Sequence, residues 1–180
     1  MNSILAISGS LRSDSFNTAL LKNACELLPD MLVLGSIDDI PLYNGDVEAK
    51  AVPESVTRLQ LQLKESSGLL LASPEYNQSV PGVLKNTIDW LSRPSDGISN
   101  VFRDKPVAVM GASPGGFGTI LAQNAWLPVF RGLGARQWAG GRLMVSGAGR
   151  VFDEQGVLQD EHVRDRLKQF VREFGAFCEA

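Results

Sequence analysis

The chain has 180 residues, 44% of them hydrophobic and 21% charged, the usage of one ordinary globular domain spanning residues 1–180. A formal net charge of −3, with 17 Lys and Arg that form no dense run, excludes a nucleic-acid-binding surface. No apolar stretch approaches the roughly 18 residues of a membrane span, and the short N-terminal apolar run lacks the basic flank of a signal peptide, so a cytoplasmic protein is expected.

Ile4-Leu5-Ala6-Ile7 predicts a first buried strand, which breaks abruptly into a polar loop, Ser8 to Asn17. Phe16, Ala19, Leu20, Ala24, Leu27 and Leu28 then fall three and four apart, the spacing of one apolar helix face. Met31 to Leu34 predicts a second strand, followed by a turn-rich stretch from Asp38 to Gly45. Val52, Val56, Leu59 and Leu63 mark a second helix, and Leu69 to Ala72 a third strand. A helix over Val80 to Leu91 leads to a fourth strand, Val107 to Met110, with Pro106 at its edge. A helix from about Phe117 to Leu133 follows, then a fifth strand within Gln137 to Val145, its limits blurred by Gly140 and Gly141. Val163, Leu167, Phe170, Phe174 and Phe177 mark the last helix. Strands apolar on both faces, alternating with helices, predict an α/β doubly wound parallel sheet covered on both sides. Cys25 and Cys178 have no CxxC spacing and read as packing residues, not as a disulfide or a metal site.

In such a sheet, ligands bind beyond the carboxyl ends of the strands, where the strand order reverses. Three loops there are rich in Gly, Pro, Ser and Asn: Ser8 to Asn17, Ser73 to Pro81, and Ala112 to Gly118. The first ends on a helix N-terminus, whose unpaired N–H groups suit a phosphate. Ser10, Ser15 and Asn17 can add side-chain donors there, and Arg12 a permanent planar cation. Helix capping is the other use for these side chains, and Asp14 is expected to be the cap. In the second loop Pro74 and Pro81 restrict the backbone, Tyr76 offers a flat surface and Asn77 an amide, a set suited to a flat heteroaromatic ring or, alternatively, an ordinary surface turn. Glycines in the third loop let backbone approach a ligand, or simply leave the connection flexible.

Several chemistries are excluded. The first loop has neither G-x-G-x-x-G nor G-K-[ST], so it is not a dinucleotide fingerprint or a P-loop. His162, the one histidine, lies at the start of the last helix and is expected to face solvent, which removes a Ser-His-Asp triad and a metal site. Asp38-Asp39 read as turn residues. Hard chemistry would have to come from a cofactor.

Gly9-Ser10-Leu11-Arg12, Ser15-Phe16-Asn17, Ser73-Pro74-Glu75-Tyr76-Asn77 and the long block from Pro81 to Arg93 resemble the signatures of the NAD(P)H-dependent FMN reductase family. This flavodoxin-like group includes bacterial quinone and chromate reductases and some azoreductases. The resemblance implies five strands in the order 2-1-3-4-5 with FMN at the switch point. It assigns the FMN phosphate to Ser10, Arg12, Ser15, Phe16 and Asn17. Pro74, Glu75, Tyr76 and Asn77 would line the isoalloxazine and ribityl, and Ser113 with Gly116 would close the third side. No catalytic side chain and no metal are implied. NADH or NADPH would donate a hydride, and a quinone foremost, or chromate, an azo dye or free flavin, would accept two electrons in ping-pong order. One phosphate loop and no second dinucleotide motif imply FMN in place of FAD. Homodimers or homotetramers are implied as well. Two departures stand out: Ser13-Asp14 replaces a Lys-Gly pair common in the family, and the helix after the third loop lacks an Arg near its start. A non-enzymatic flavodoxin-type electron carrier and an FMN-binding sensor are the rival readings. NAD(P)H oxidation with and without quinone separates the three.

Overall fold

The computed structural model describes residues 3–94 and 101–180. Its sheet contains β1 (Ile4–Ser8), β2 (Leu32–Gly35), β3 (Leu69–Ala72), β4 (Pro106–Ala112), β5 (Arg136–Gln137) and β6 (Leu143–Val145). The pairings are parallel and run β2-β1-β3-β4-β5, with β6 also on β4. In register, Ile7 lies opposite Gly35 and Leu71, and Leu71 opposite Val109.

Alternate strand residues feed two separate cores, as a sheet covered on both faces requires. Ile4, Ala6, Leu70 and Met110 pack with Leu20, Leu21 and Ala24 of α1 (Phe16–Leu27), and with residues of the long C-terminal helix such as Leu167 and Phe174. On the opposite face Leu5, Ile7, Leu69 and Leu71 meet Leu59 and Leu63 of α3 (Glu54–Glu65), Leu84 and Ile88 of α4 (Gly82–Leu91), and Trp126 and Phe130 of α5 (Ile120–Gly132). The short helices α2 (Gly45–Glu48) and α6 (Ala148–Val151) were not signalled by periodicity, and α7 (Glu161–Glu179) completes the chain. Asp160 caps α7 by accepting from the Val163 N–H. Cys25 and Cys178 are half-buried free thiols against the first core, and burial pushes the Cys178 thiol up to about 11.

Three details differ from the sequence expectation. The fifth strand is split into β5 and β6, which take the lower and upper halves of β4. Between them the chain passes beneath the Trp138 indole, where a Cβ on Gly140 or Gly141 would collide with the ring. Trp138 is held there by Phe170 and Phe174, at centroid distances of 4.9 and 5.6 Å. The helix expected from Phe117 starts at Ile120, because Gly118 adopts φ +61° and its missing side chain lets the turn lie against Met144. The helix expected from Val80, α4, starts at Gly82, after Pro81.

The turn-rich stretch after β2 is strapped to α4. Asn86 Nδ2 and Trp90 Nε1 both donate to the Pro41 carbonyl, and the Tyr43 N–H donates to Asn86 Oδ1. Glu48 Oε2 accepts from the Tyr43 hydroxyl at 2.7 Å and from Arg93 Nε at 3.0 Å. The Tyr43 hydrogen bond, and then the Arg93 guanidinium, hold the Glu48 carboxyl below its usual range. The Glu48 contribution to the strap is therefore complete above the unfolded-state pKa of about 4.3 and is lost as pH falls through the depressed folded value, while the bonds of Asn86 and Trp90 to the Pro41 carbonyl carry no titrating group. In an NMR acid titration, Tyr43 and Trp90 side-chain resonances should move together with a midpoint below that of an ordinary glutamate, and Glu48→Gln should abolish the step. A midpoint at the ordinary value would contradict the Glu48 anchor.

Candidate functional site

The strand order reverses between β1 and β3, and the loops after β1, β3 and β4 leave the same edge of the sheet. They enclose a cleft of about 120 Å³. Ser10, Arg12, Ser15, Phe16 and Asn17 line it from the first loop, Pro74, Glu75 and Tyr76 from the second, and Ser113 from the third. Asn77 and Gly116, expected at the same place, lie outside its lining.

The first loop is shaped by its own hydroxyls. Ser8 Oγ lies 2.7 Å from Thr18 Oγ1, and Ser10 Oγ accepts from the Arg12 N–H. Ser15, not Asp14, is the N-cap of α1: its backbone is extended and its Oγ accepts from the Thr18 N–H. Either side chain could have capped the helix; the chain enters α1 one residue later than the Asp14 reading requires, so Ser15 stands three residues before the N–H to be capped. Asp14 contributes its carbonyl, which accepts from Arg12 Nη2 at 2.8 Å and orients the exposed guanidinium. The first-turn N–H groups of Phe16 and Asn17 have no intrahelical acceptor and open on the cleft.

Asn17, which lines the cleft, also has a structural use. Its buried amide turns into the sheet, where Nδ2 donates to the Ala112 carbonyl at 3.0 Å and Oδ1 accepts from the Ala112 N–H at 2.9 Å. The side chain thus pairs with the last residue of β4 as a neighbouring strand would. One Nδ2 hydrogen and the Asn17 backbone N–H remain for a ligand.

Glu75 is likewise committed. Its Oε2 accepts from the N–H groups of Leu121 and Ala122, so the second loop caps α5 with a carboxylate. Tyr76 and Ser79 exchange backbone hydrogen bonds at 3.2 and 3.1 Å around Asn77 and Gln78, at φ +50° and +62°. Two left-handed residues in a row make a tight turn, one that Asn tolerates better than Gln. The turn leaves Tyr76 49% exposed on the rim of the cleft. In the third loop Ser113 is fixed by its N–H to the Val145 carbonyl and its carbonyl to the Ala148 N–H. A Cβ on Gly116 would meet nothing within 4 Å, so that backbone faces open space.

His162 is exposed on α7, and no group of three His, Cys, Asp or Glu able to hold a metal exists among the described residues. What the cleft offers is therefore a cation, hydroxyls and free backbone donors around a small polar hole, with an aromatic rim. That donor set fits a phosphate joined to a flat ring system.

A family model described as NADPH-dependent FMN reductase matches residues 2–150. The chain belongs to the NADPH-dependent FMN reductase family. It is 44% identical to an NAD(P)H-dependent FMN reductase of Pseudomonas aeruginosa, over 92% of this chain and 89% of that protein. It is 37% identical to a quinone reductase of Pseudomonas putida, covering 97% of this chain and 94% of that one. Among solved structures, FerB, a flavoenzyme NAD(P)H:(acceptor) oxidoreductase of Paracoccus denitrificans, superposes with a TM-score of 0.89 at 35% identity, over 99% of this chain and 98% of the other. As a member of this family the chain is an NAD(P)H-dependent flavin enzyme with FMN as its cofactor, not a passive electron carrier.

Asn17→Ala should leave the buried N–H and C=O of Ala112 without partners and cost about 2–4 kcal/mol of stability. The urea midpoint of the flavin-free chain measures this. An unchanged midpoint would mean that the end of β4 is held by something else.

Proposed function

We propose that the chain transfers two electrons from NADH or NADPH to a quinone, with FMN seated at the cleft. The observation that carries this reading is the convergence of Arg12, the Ser10 hydroxyl and the first-turn N–H groups of α1 on one hole beside the half-exposed Tyr76. In this reading the phosphate is held by those donors. Pro74, Tyr76 and Asn77 flank the isoalloxazine and ribityl, with Ser113 and Gly116 opposite. Bound there, FMN supplies the hydride-accepting ring position that no side chain of this protein can replace.

The residues then have three tasks. Arg12 and the helix N-terminus neutralise the phosphate and fix the cofactor's position along the sheet edge. Glu75 and Asn17 brace the second and third loops, so that backbone donors stay preorganised toward charge that develops on the ring. Tyr76 provides the rim against which a planar substrate stacks. No general acid or base is needed, in keeping with the absence of a histidine near the cleft.

Because the rim is open, flat acceptors other than quinones fit the same reading: azo dyes and free flavin, with chromate as a small non-planar one. Phe117, Ile120, Leu121 and Leu127 expose apolar surface beside the third loop, which supports a homodimer or homotetramer. A cytoplasmic location is part of the proposal.

Donor and acceptor share one rim in this arrangement and cannot stack there together, so turnover is ping-pong, the oxidised nicotinamide leaving before the acceptor enters. Initial rates at several fixed quinone concentrations should give parallel double-reciprocal lines. Tyr76→Ala should slow both half-reactions in stopped flow. Intersecting lines, or a Tyr76→Ala effect confined to one half-reaction, would require two separate substrate sites.

A further inference from the structure

Phe117 is 83% exposed, and among the large apolar side chains of the described residues only Leu42 matches it. A ring left so open to water forgoes most of the free energy that its burial would supply. Pro114, three residues before it, lines the cleft. The Leu121 N–H, four residues after it, donates to Glu75 of the second loop at 2.9 Å. Phe117 therefore crowns the third loop where that loop passes the cleft, and the half-exposed Tyr76 stands on the rim of the adjoining loop.

The third loop is tied on either side of this ring and open between the ties. The Ser113 N–H donates to the Val145 carbonyl, the Ser113 carbonyl accepts from the Ala148 N–H, and the Gly115 carbonyl accepts from the Gly147 N–H at 3.0 Å. Beyond the ring, Gly118 takes φ +61° and its missing side chain lets it lie against Met144. A Cβ on Gly116 would meet nothing within 4 Å, and one on Gly115 only the Ser113 hydroxyl at 3.9 Å. Two adjacent glycines with open space around them give the backbone before Phe117 a freedom that other residues would restrict. The fixed ends keep the ring beside the cleft.

We propose that Phe117 determines acceptor specificity: its ring closes on a planar acceptor stacked at the Tyr76 rim, so that two-ring quinones are preferred to one-ring quinones. The proposal rests on the reading that quinones are reduced at that rim. Only an acceptor wide enough to reach from Tyr76 to the third loop buries the Phe117 ring as well, and stacking or edge contact between the rings adds to that burial. Self-association is the rival use of this side chain. A subunit contact gains from a fixed backbone, whereas glycine flanks suit a ring that follows ligands of different width and withdraws when product leaves.

The test uses the FMN-loaded, full-length chain. The ratio of kcat/KM for naphthoquinone to that for benzoquinone should fall about tenfold in Phe117→Ala. Phe117→Leu, which keeps apolar bulk but loses the flat ring, should give the same fall, and Phe117→Tyr should hold the ratio within about twofold. Coumarin, a planar two-ring probe that is not a quinone, should bind about tenfold more weakly to the Ala and Leu variants by calorimetry. A ratio held within about twofold in both variants, or unchanged coumarin affinity, would overturn the proposal. Loss of the oligomer in Phe117→Ala with the ratio unchanged would also overturn it, giving the side chain to a subunit contact. Tyr76→Ala should slow both quinones. If Tyr76→Ala slows neither, the rim reading itself falls, a result distinguishable from an unchanged ratio at Phe117 alone.

Discussion

The reciprocal hydrogen bonds between the Asn17 amide and the backbone of Ala112 join two of the three segments from which the site is built. β3 ends at Ala72, and the chain turns away through Ser73 and Pro74, so the last residue of β4 has lost its strand neighbour on that side. A buried N–H and C=O left unpaired there would cost free energy comparable to two hydrogen bonds. The Asn17 side chain supplies both partners from the first turn of α1. That contact ties the α1 N-terminus to the start of the third loop across the floor of the cleft.

The same economy appears at Glu75. A carboxylate on the second loop satisfies two N–H groups at the start of α5, so the loop bearing Tyr76 and the helix bordering the third loop are fixed relative to each other. Ser73 adds a third tie, its buried hydroxyl accepting from Trp126 Nε1 at 2.9 Å. Three loops are thereby braced by side chains bonded to neighbouring elements, while Arg12, small hydroxyls and helix-start N–H groups remain on the cleft wall beside Phe16 and Tyr76. Such a preorganised polar hole suits an anion, because its donors need no rearrangement when the ligand arrives.

Much of this was legible in the residues. Apolar runs such as Ile4 to Ile7 and Leu69 to Ala72, buried on both faces, required a parallel sheet, and the three Gly-, Ser- and Pro-rich loops marked its functional edge. What stayed hidden was pairing at long range. The partners of Asn17 and Glu75 lie 95 and 46–47 residues along the chain, and nothing local distinguishes a side chain that braces from one that binds. Choosing Ser15 over Asp14 as the cap likewise depends on where the backbone enters α1, which two adjacent capping residues leave open. The division of the fifth strand followed from Trp138 packing on α7, a tertiary contact that overrides the apolar pattern from Gln137 to Val145.

We propose that the flavin is anchored by its phosphate at Arg12 and the start of α1. Comparing FMN with riboflavin, which is the same ring and ribityl without the phosphate, isolates that contribution. FMN should bind the flavin-free chain at least about a hundredfold tighter than riboflavin, the worth of about two charge-assisted hydrogen bonds, and Arg12→Ala should shrink the gap by about tenfold or more. Equal affinities for FMN and riboflavin would contradict the claim.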